Sequence, residues 1–219
     1  MNQLKDFLLN CQTRGLKINT VYDIGANGGN WSLDFKNTIL PNSEFILFEA
    51  NQSHSIYLEN TGFKYFTTIL SNSGRDHVEF YSTKGTGDSY YKENTYIYDD
   101  VAPIKLPCTT LDHLIKTNNL SAPNFIKIDT QGSELDILDG ARSVIDNVDL
   151  IYTECPIVSY NTGAPGIQDY LDYFKGINFV PINIYEIHRF EETMIQVDIM
   201  FMKNSTKDQL FGNNTFIRL

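Results

Sequence analysis

Four carboxylates stand at the ends of short apolar runs. Asp23 follows Thr20-Val21-Tyr22, Glu49 follows Phe45-Ile46-Leu47-Phe48, Asp129 follows Phe125-Ile126-Lys127-Ile128, and Glu154 follows Leu150-Ile151-Tyr152-Thr153. If these runs are parallel strands, their carboxyl ends form the edge at which open α/β sheets bind ligands. Such an edge would present acids to a ligand rich in hydroxyls and cationic groups. A nucleoside triphosphate would want Lys, Arg or Mg²⁺ instead, and no G-x-x-x-x-G-K-[ST] loop is present. Lys127 is out of place in an apolar run, where period two puts it on one face with Phe125 and Asp129. Two readings of it stand: a buried ion pair, with Glu154 as partner if the two strands are neighbours, or a catalytic or acceptor-binding lysine. A lone buried ammonium is too costly to leave unpaired.

Asp23 opens the turn Asp23-Ile24-Gly25-Ala26-Asn27-Gly28-Gly29. Gly25 allows a sharp bend and a close approach to a ligand. Asn27 is the residue type that best tolerates a positive φ where glycine is absent. The spacing is not the G-x-G-x-x-G of a dinucleotide site. D-x-G-x-N-x-G resembles motif I of class I S-adenosylmethionine-dependent methyltransferases. Glu49 follows at the separation where an acid accepts hydrogen bonds from ribose hydroxyls. S-adenosylmethionine, with its ammonium, ribose diol and sulfonium, suits the acidic rim.

These side chains need a sheet to present them. Apolar runs alternate with helical patterns, which predicts an α/β fold with a mostly parallel, seven-stranded sheet and an antiparallel pair at one edge. Residues 1–19 read as a helix packed on the domain, 20–203 as the domain itself, and 204–219 as a loosely held tail. The third strand is expected over 65–70, ending in a turn at Ser71 beside an adenine site. The helical rhythm then breaks, and about 75–108 reads as inserted strands and loops covering the strand ends. Within it, Tyr90, Tyr91, Tyr96 and Tyr98 either offer platforms to a sugar or staple the loop to the body. Two closing strands are expected with their turn at 188–192.

The net charge of −10 and pI near 4.7 argue against a phosphate-tracking surface, so no nucleic acid partner is expected. Cys11, Cys108 and Cys155 read as reduced thiols. No leader and no membrane span are recognisable, which points to the cytoplasm. No zinc-like Cys/His spacing occurs, and a divalent ion between Asp129 and Glu154 has no further support, so no metal is expected.

With these pieces in place the chain resembles the FkbM family of methyltransferases. The resemblance rests on the glycine turn, Phe48-Glu49-Ala50, Leu70-Ser71-Asn72, Thr110-Leu111-Asp112, Ile126-Lys127-Ile128-Asp129-Thr130-Gln131-Gly132-Ser133-Glu134 and Ile151-Tyr152-Thr153-Glu154. It implies a Rossmann-like class I methyltransferase fold, with S-adenosyl-L-methionine held by Asp23, Gly25, Asn27, Gly29, Glu49, Ser71 and Asp129. It also implies methyl transfer to a hydroxyl of a small-molecule or glycan acceptor: a sugar, glycan precursor or polyketide-like natural product. An alcohol needs a base as its proton leaves; Asp129, Glu154 and His188 are the candidates, with Lys127 as a further catalytic candidate. The chain departs from the family at Gln131, where Glu is common. The alternatives are a methyltransferase acting on protein or nucleic acid and a non-catalytic interaction module on the same fold.

Overall fold

A computed structural model describes residues 2–83 and 87–212. β1 (Thr20–Ile24) is buried along its whole length, because helices cover both faces of the sheet it centres. Its parallel neighbours are β2 (Glu44–Glu49) and β7 (Phe125–Ile128). Outside them run β3 (Lys64–Thr67) on one side and β8 (Leu150–Pro156) on the other, both parallel. β10 (Thr193–Lys203) then runs antiparallel to β8 and to the edge strand β9 (Phe179–Phe190). The seven-stranded order is β3-β2-β1-β7-β8-β10-β9. Strand order reverses between β1 and β7, so the crevice at their carboxyl ends is the ligand position of a doubly wound sheet.

One face is packed by α1 (Asn2–Thr13), α2 (Asn30–Thr38) and α3 (Ser55–Thr61) through Leu4, Leu8, Phe35 and Leu58. The other is packed by α4 (Leu111–Asn118), α5 (Glu134–Asp139) and α6 (Ile167–Gly176) through Leu111, Leu138, Tyr170 and Phe174. Thr110 caps α4 by accepting a hydrogen bond from the His113 amide, 3.1 Å. Among the described residues no helix is long and apolar enough to cross a membrane.

The structure corrects three sequence expectations. The run 65–70 is two strands: β3 stays in the main sheet, while β4 (Ile69–Leu70) leaves it to pair with β6 (Ile104–Thr109). Thr68 is the hinge, its amide making the last bond to the main sheet at Glu49 O, 2.8 Å. With β5 (His77–Phe80) these strands form a second sheet, β4-β6-β5, beside the cavity described below. The closing hairpin turns later and more tightly than expected, at Glu191-Glu192 with Glu191 at φ 51°. His188 is therefore a strand residue. The segment expected as a tail forms α7 (Asn204–Phe211), which buries Thr206 and Leu210; the remainder, 213–219, lies outside the described residues. Thr206 Oγ1 bonds Asp149 at 2.5 Å and Arg14 Nη1 bonds the Leu210 carbonyl at 3.2 Å, ties between segments far apart in sequence.

The turn from β7 into α5 is built around Glu134. This carboxylate is almost fully buried, yet it accepts from the amides of Thr130 (2.7 Å) and Gly132 (3.0 Å) and from the Tyr170 hydroxyl. Burial pushes its pKa up, and the bonds from Tyr170 and Thr130 oppose that. Every partner donates, so the group works as an acceptor. Glu134→Ala strands those donors, and we expect a loss of about 3 kcal/mol. In a thermal melt this reads as a fall of roughly 6–12 °C; Glu134→Gln, which keeps one acceptor oxygen, should lose less. An unchanged melting temperature in Glu134→Ala would contradict the assignment.

Candidate active site

A cavity of about 1020 Å³ opens at the carboxyl ends of β1, β2, β7 and β8. Gly25 and Asn27 line it from the first turn, Glu49 from β2, Asp129 and Gln131 from the turn after β7, and Glu154 from β8. Phe48, Leu70, Phe80 and Ile137 give it an apolar wall. Ser89, Tyr90 and Tyr96 bring the section between β5 and β6 over it.

The glycine turn has the left-handed backbone its sequence requires, with φ 74° at Gly25, 50° at Asn27 and 78° at Gly29. What demands glycine differs from the expectation. A Cβ at Gly25 would lie 1.8 Å from the Asp129 carbonyl oxygen, so the close approach is to the neighbouring chain segment. A Cβ at Gly29 would lie 2.8 Å from Thr61 Cγ2, and Gly29 is not among the lining residues. The turn instead fixes Glu49, whose two carboxylate oxygens accept from the amides of Asn27 (2.7 Å) and Asn51 (2.8 Å). Each oxygen keeps a lone pair for a ligand hydroxyl.

Asp23 does not point into the crevice. It is fully buried, accepts from Ser32 Oγ at 2.7 Å, and pairs with Lys127 Nζ at 3.3 Å. Lys127 also reaches Asp129 (3.6 Å) and the Gly25 carbonyl (3.0 Å). The ion-pair reading of Lys127 is thus the one the geometry realises, with other partners than Glu154. The register explains this: Lys127 sits opposite Asp23 on β1 and opposite Tyr152 on β8, so Glu154 lies farther along its strand. Burial alone would lower the lysine's pKa, but the charges of Asp23 and Asp129 outweigh it and raise it above the ordinary value. Lys127 is a fixed cation, and it is not among the lining residues.

Glu154 sits in a ring of neutral donors. Gln131 Nε2 donates to it at 2.8 Å and to Asp129 at 3.2 Å, and Gln196 Nε2 donates to its other oxygen. The Tyr160 hydroxyl closes the ring on the carbonyl oxygens of both glutamines. Burial, then the charges of Asp129, Glu134 and Asp198, push the Glu154 carboxyl up to about 9. The Gln131 backbone is held at φ 55° while its carbonyl accepts from Ser89 Oγ (2.9 Å) and Asn161 Nδ2 (2.5 Å). Between Asp129 and Glu154 the Gln131 amide makes the bridge.

His188 is apart from the cavity lining. It pairs with Asp198 at 3.3 Å, and Asp198 accepts from the Tyr152 hydroxyl at 2.8 Å. Glu154, His188 and Asp198 present atoms within 4.8 Å of one another, and protein donors reach both carboxylates. Ser71 is fully buried and not among the lining residues, with its hydroxyl 3.4 Å from that of Tyr90. Of the tyrosines, Tyr90 and Tyr91 donate to Asp136 at 3.1 and 3.0 Å, and Tyr98 is buried. These three staple the section down; Tyr96 alone of the four is freely exposed. Asp136, which also meets Asn72 (2.8 Å) and Arg75 (3.3 Å), was not singled out in the sequence, nor were Tyr160 and Gln196. Gln131 carried a signal, as a departure from the family pattern. The others sit in a loop, a helix and a strand with no motif around them.

Comparison with known proteins matches residues 23–205 to the methyltransferase FkbM domain. No curated protein matches the sequence. Among solved structures, the methyltransferase FkbM of Methylobacillus flagellatus KT superposes with a TM-score of 0.51 at 15% identity; the alignment covers 84% of this chain and 45% of that one. This chain thus spans under half the length of that relative. An uncharacterized protein of Listeria monocytogenes serotype 4b gives 0.52 at 11% identity, covering 97% and 73%. The magnesium protoporphyrin IX methyltransferase of Synechocystis PCC 6803, solved with bound SAM, gives 0.51 at 7%, covering 92% and 78%. At these identities the superpositions establish the fold, a Rossmann-like class I methyltransferase fold. The domain match covers most of the sequence, and the chain belongs to the FkbM methyltransferase family.

Proposed function

We propose that the protein transfers a methyl group from S-adenosylmethionine to a hydroxyl of a sugar, glycan precursor or natural product. The observation that carries this reading is the meeting of Glu49 and Glu154 in one cavity. The first is pinned by the glycine turn with lone pairs to spare; the second is held by amides at the floor. The residues fit the cofactor: Phe48, Leu70 and Ile137 make an apolar wall suited to a purine, Glu49 a diol acceptor, and Asp129 an anion for a cationic group. At about 1020 Å³ the space lies at the top of the roughly 300–1,000 Å³ range of small-molecule sites, which favours a large ligand or two ligands side by side.

When bound, S-adenosylmethionine supplies an already activated methyl group. The chain must then align the acceptor oxygen, exclude water and take a proton. Glu154 is the residue we assign to the proton. The base is its deprotonated form, a minority below about pH 9 that grows as pH rises, and that form is a stronger base than an ordinary carboxylate. Asp129 holds the cofactor's cationic end, beside Lys127. Lys127 is pinned as a cation, and His188 is paired with Asp198 and does not line the cavity, so neither is assigned a chemical step. The acidic charge balance keeps nucleic acid the weaker acceptor reading.

Calorimetric titration of S-adenosylhomocysteine tests the cofactor half. One-site binding is expected, weakened about 100-fold in Glu49→Ala, the cost of two hydrogen bonds to a charged group. Wild-type protein giving neither heat nor thermal stabilisation at millimolar ligand would sink the methyltransferase reading.

The Glu154 assignment has a test that needs no acceptor. A folded carboxyl with a pKa near 9 keeps its proton where the unfolded chain has released it. Wild-type stability should therefore fall as pH rises from the ordinary carboxylate range towards 9. The share of this one group is at most about 1.4 kcal/mol per pH unit. Urea unfolding of Glu154→Gln should show a slope shallower by up to that share, the raised Glu134 carboxyl still contributing, and parallel profiles would refute a raised pKa. With a hydroxyl acceptor, the same variant should lose about 10²–10⁴ in kcat, with S-adenosylhomocysteine affinity little changed.

A further inference from the structure

We infer that the acceptor is an amphiphile: a hydroxylated head group carried on an apolar chain or ring system that lies against Tyr96, Ile97, Val158 and Phe190. This deepens the hydroxyl-transfer reading above and rests on it. The four residues line the same cavity as Glu154 and come from three separate segments. They are 86%, 55%, 41% and 70% exposed, although all are large and apolar or aromatic. Single exposed apolar residues are ordinary; several gathered at the mouth of one cavity mark a binding surface. The floor is the opposite in character, carrying Asp129, Gln131, Glu154, Tyr160 and Gln196. A ligand bound across both needs a polar end at the strand tips and an apolar end at the mouth. A free sugar would leave the rim wet.

The rim is built in place. The Asn94 amide donates to the Tyr160 carbonyl at 2.6 Å, and the Thr162 amide to the Lys92 carbonyl at 2.8 Å. Thr95 Oγ1 bonds Glu93 at 2.8 Å, and buried Tyr98 anchors the far end of the turn carrying Tyr96 and Ile97. Phe190 stands at the tip of the β9–β10 hairpin, fixed by the tight turn after it. The net charge of −10 disfavours an anionic membrane surface as the occupant. The amphiphile is therefore taken as a molecule entering the cavity, with its head group towards Glu154.

The test is a pair of titrations into the full chain saturated with S-adenosylhomocysteine: n-octyl β-D-glucoside below its micellar concentration, and methyl β-D-glucoside. The head is common to both, so their ratio reads the alkyl chain. The octyl compound should bind at least about tenfold more tightly. That advantage should fall at least about fivefold in Tyr96→Ser/Phe190→Ser, with the melting temperature and S-adenosylhomocysteine affinity unchanged. Equal binding of the two glucosides overturns the proposal, and so does an alkyl preference untouched by the double substitution. A second copy as occupant would appear in sedimentation as a dimer that the double variant dissociates, and this outcome also overturns it. If S-adenosylhomocysteine fails to bind, the cofactor reading falls; the glucoside pair measured on the protein alone then still decides the apolar subsite.

Discussion

The contact on which the strand ends depend is the buried cation Lys127 between Asp23 and Asp129. Burying a charge is tolerable only where partners replace its lost hydration. Here two carboxylates and the Gly25 carbonyl do so, and they come from both strands of the switch point. One side chain thereby ties the end of β1, the end of β7 and the first residue of the glycine turn. Asp23 in turn holds Ser32 at the start of α2. The glycine turn is bounded on one side by this triad and on the other by Glu49, which grips the Asn27 amide. The crevice is thus framed before any ligand enters it.

With Lys127 spent on Asp23 and Asp129, the floor must settle its remaining carboxylates by other means. Glu134 does so with amide and phenol donors. Glu154 does so with two glutamine amides and, by its raised pKa, with a proton. Gln131 makes physical sense in that setting. A glutamate there would add a negative charge beside Asp129 and give Glu154 no amide donor, whereas the amide donates to both. The substitution converts a repulsion into a bridge and keeps Glu154 aimed from the sheet into the cavity.

Much of the frame was legible in the sequence because it depends on local pattern. The apolar runs of β1, β2, β7 and β8 follow from rules of short range. What was misread depends on partners distant in sequence. β4 is split from β3 only because Cys108 and Thr109 wait in another sheet. The carboxyl half of β9 looks like a turn because an edge strand need not alternate cleanly, and α7 is held by Asp149 and Arg14 more than by its own pattern. The site divides the same way. Glu49 and Asp129 were placed in the cavity by motif and strand position. The partners of Lys127 follow from register, and Tyr160 and Gln196 meet Glu154 only through the β8–β10 pairing and the loop after β8.

The cavity therefore has two parts with different physical character. Its floor belongs to the seven-stranded sheet, where each polar atom is fixed by several neighbours and a change in one disturbs the others. Its mouth belongs to the section between β5 and β6, the loop after β8 and the tip of the β9–β10 hairpin, where apolar side chains stand free on anchored backbone. Substitution at the mouth costs little in stability, because Tyr96 and Phe190 are mostly exposed. Substitution at the floor strands buried donors. Under the proposed function, chemistry and acceptor choice are thus separable: the floor would constrain which atom reacts, and the mouth what that atom is attached to.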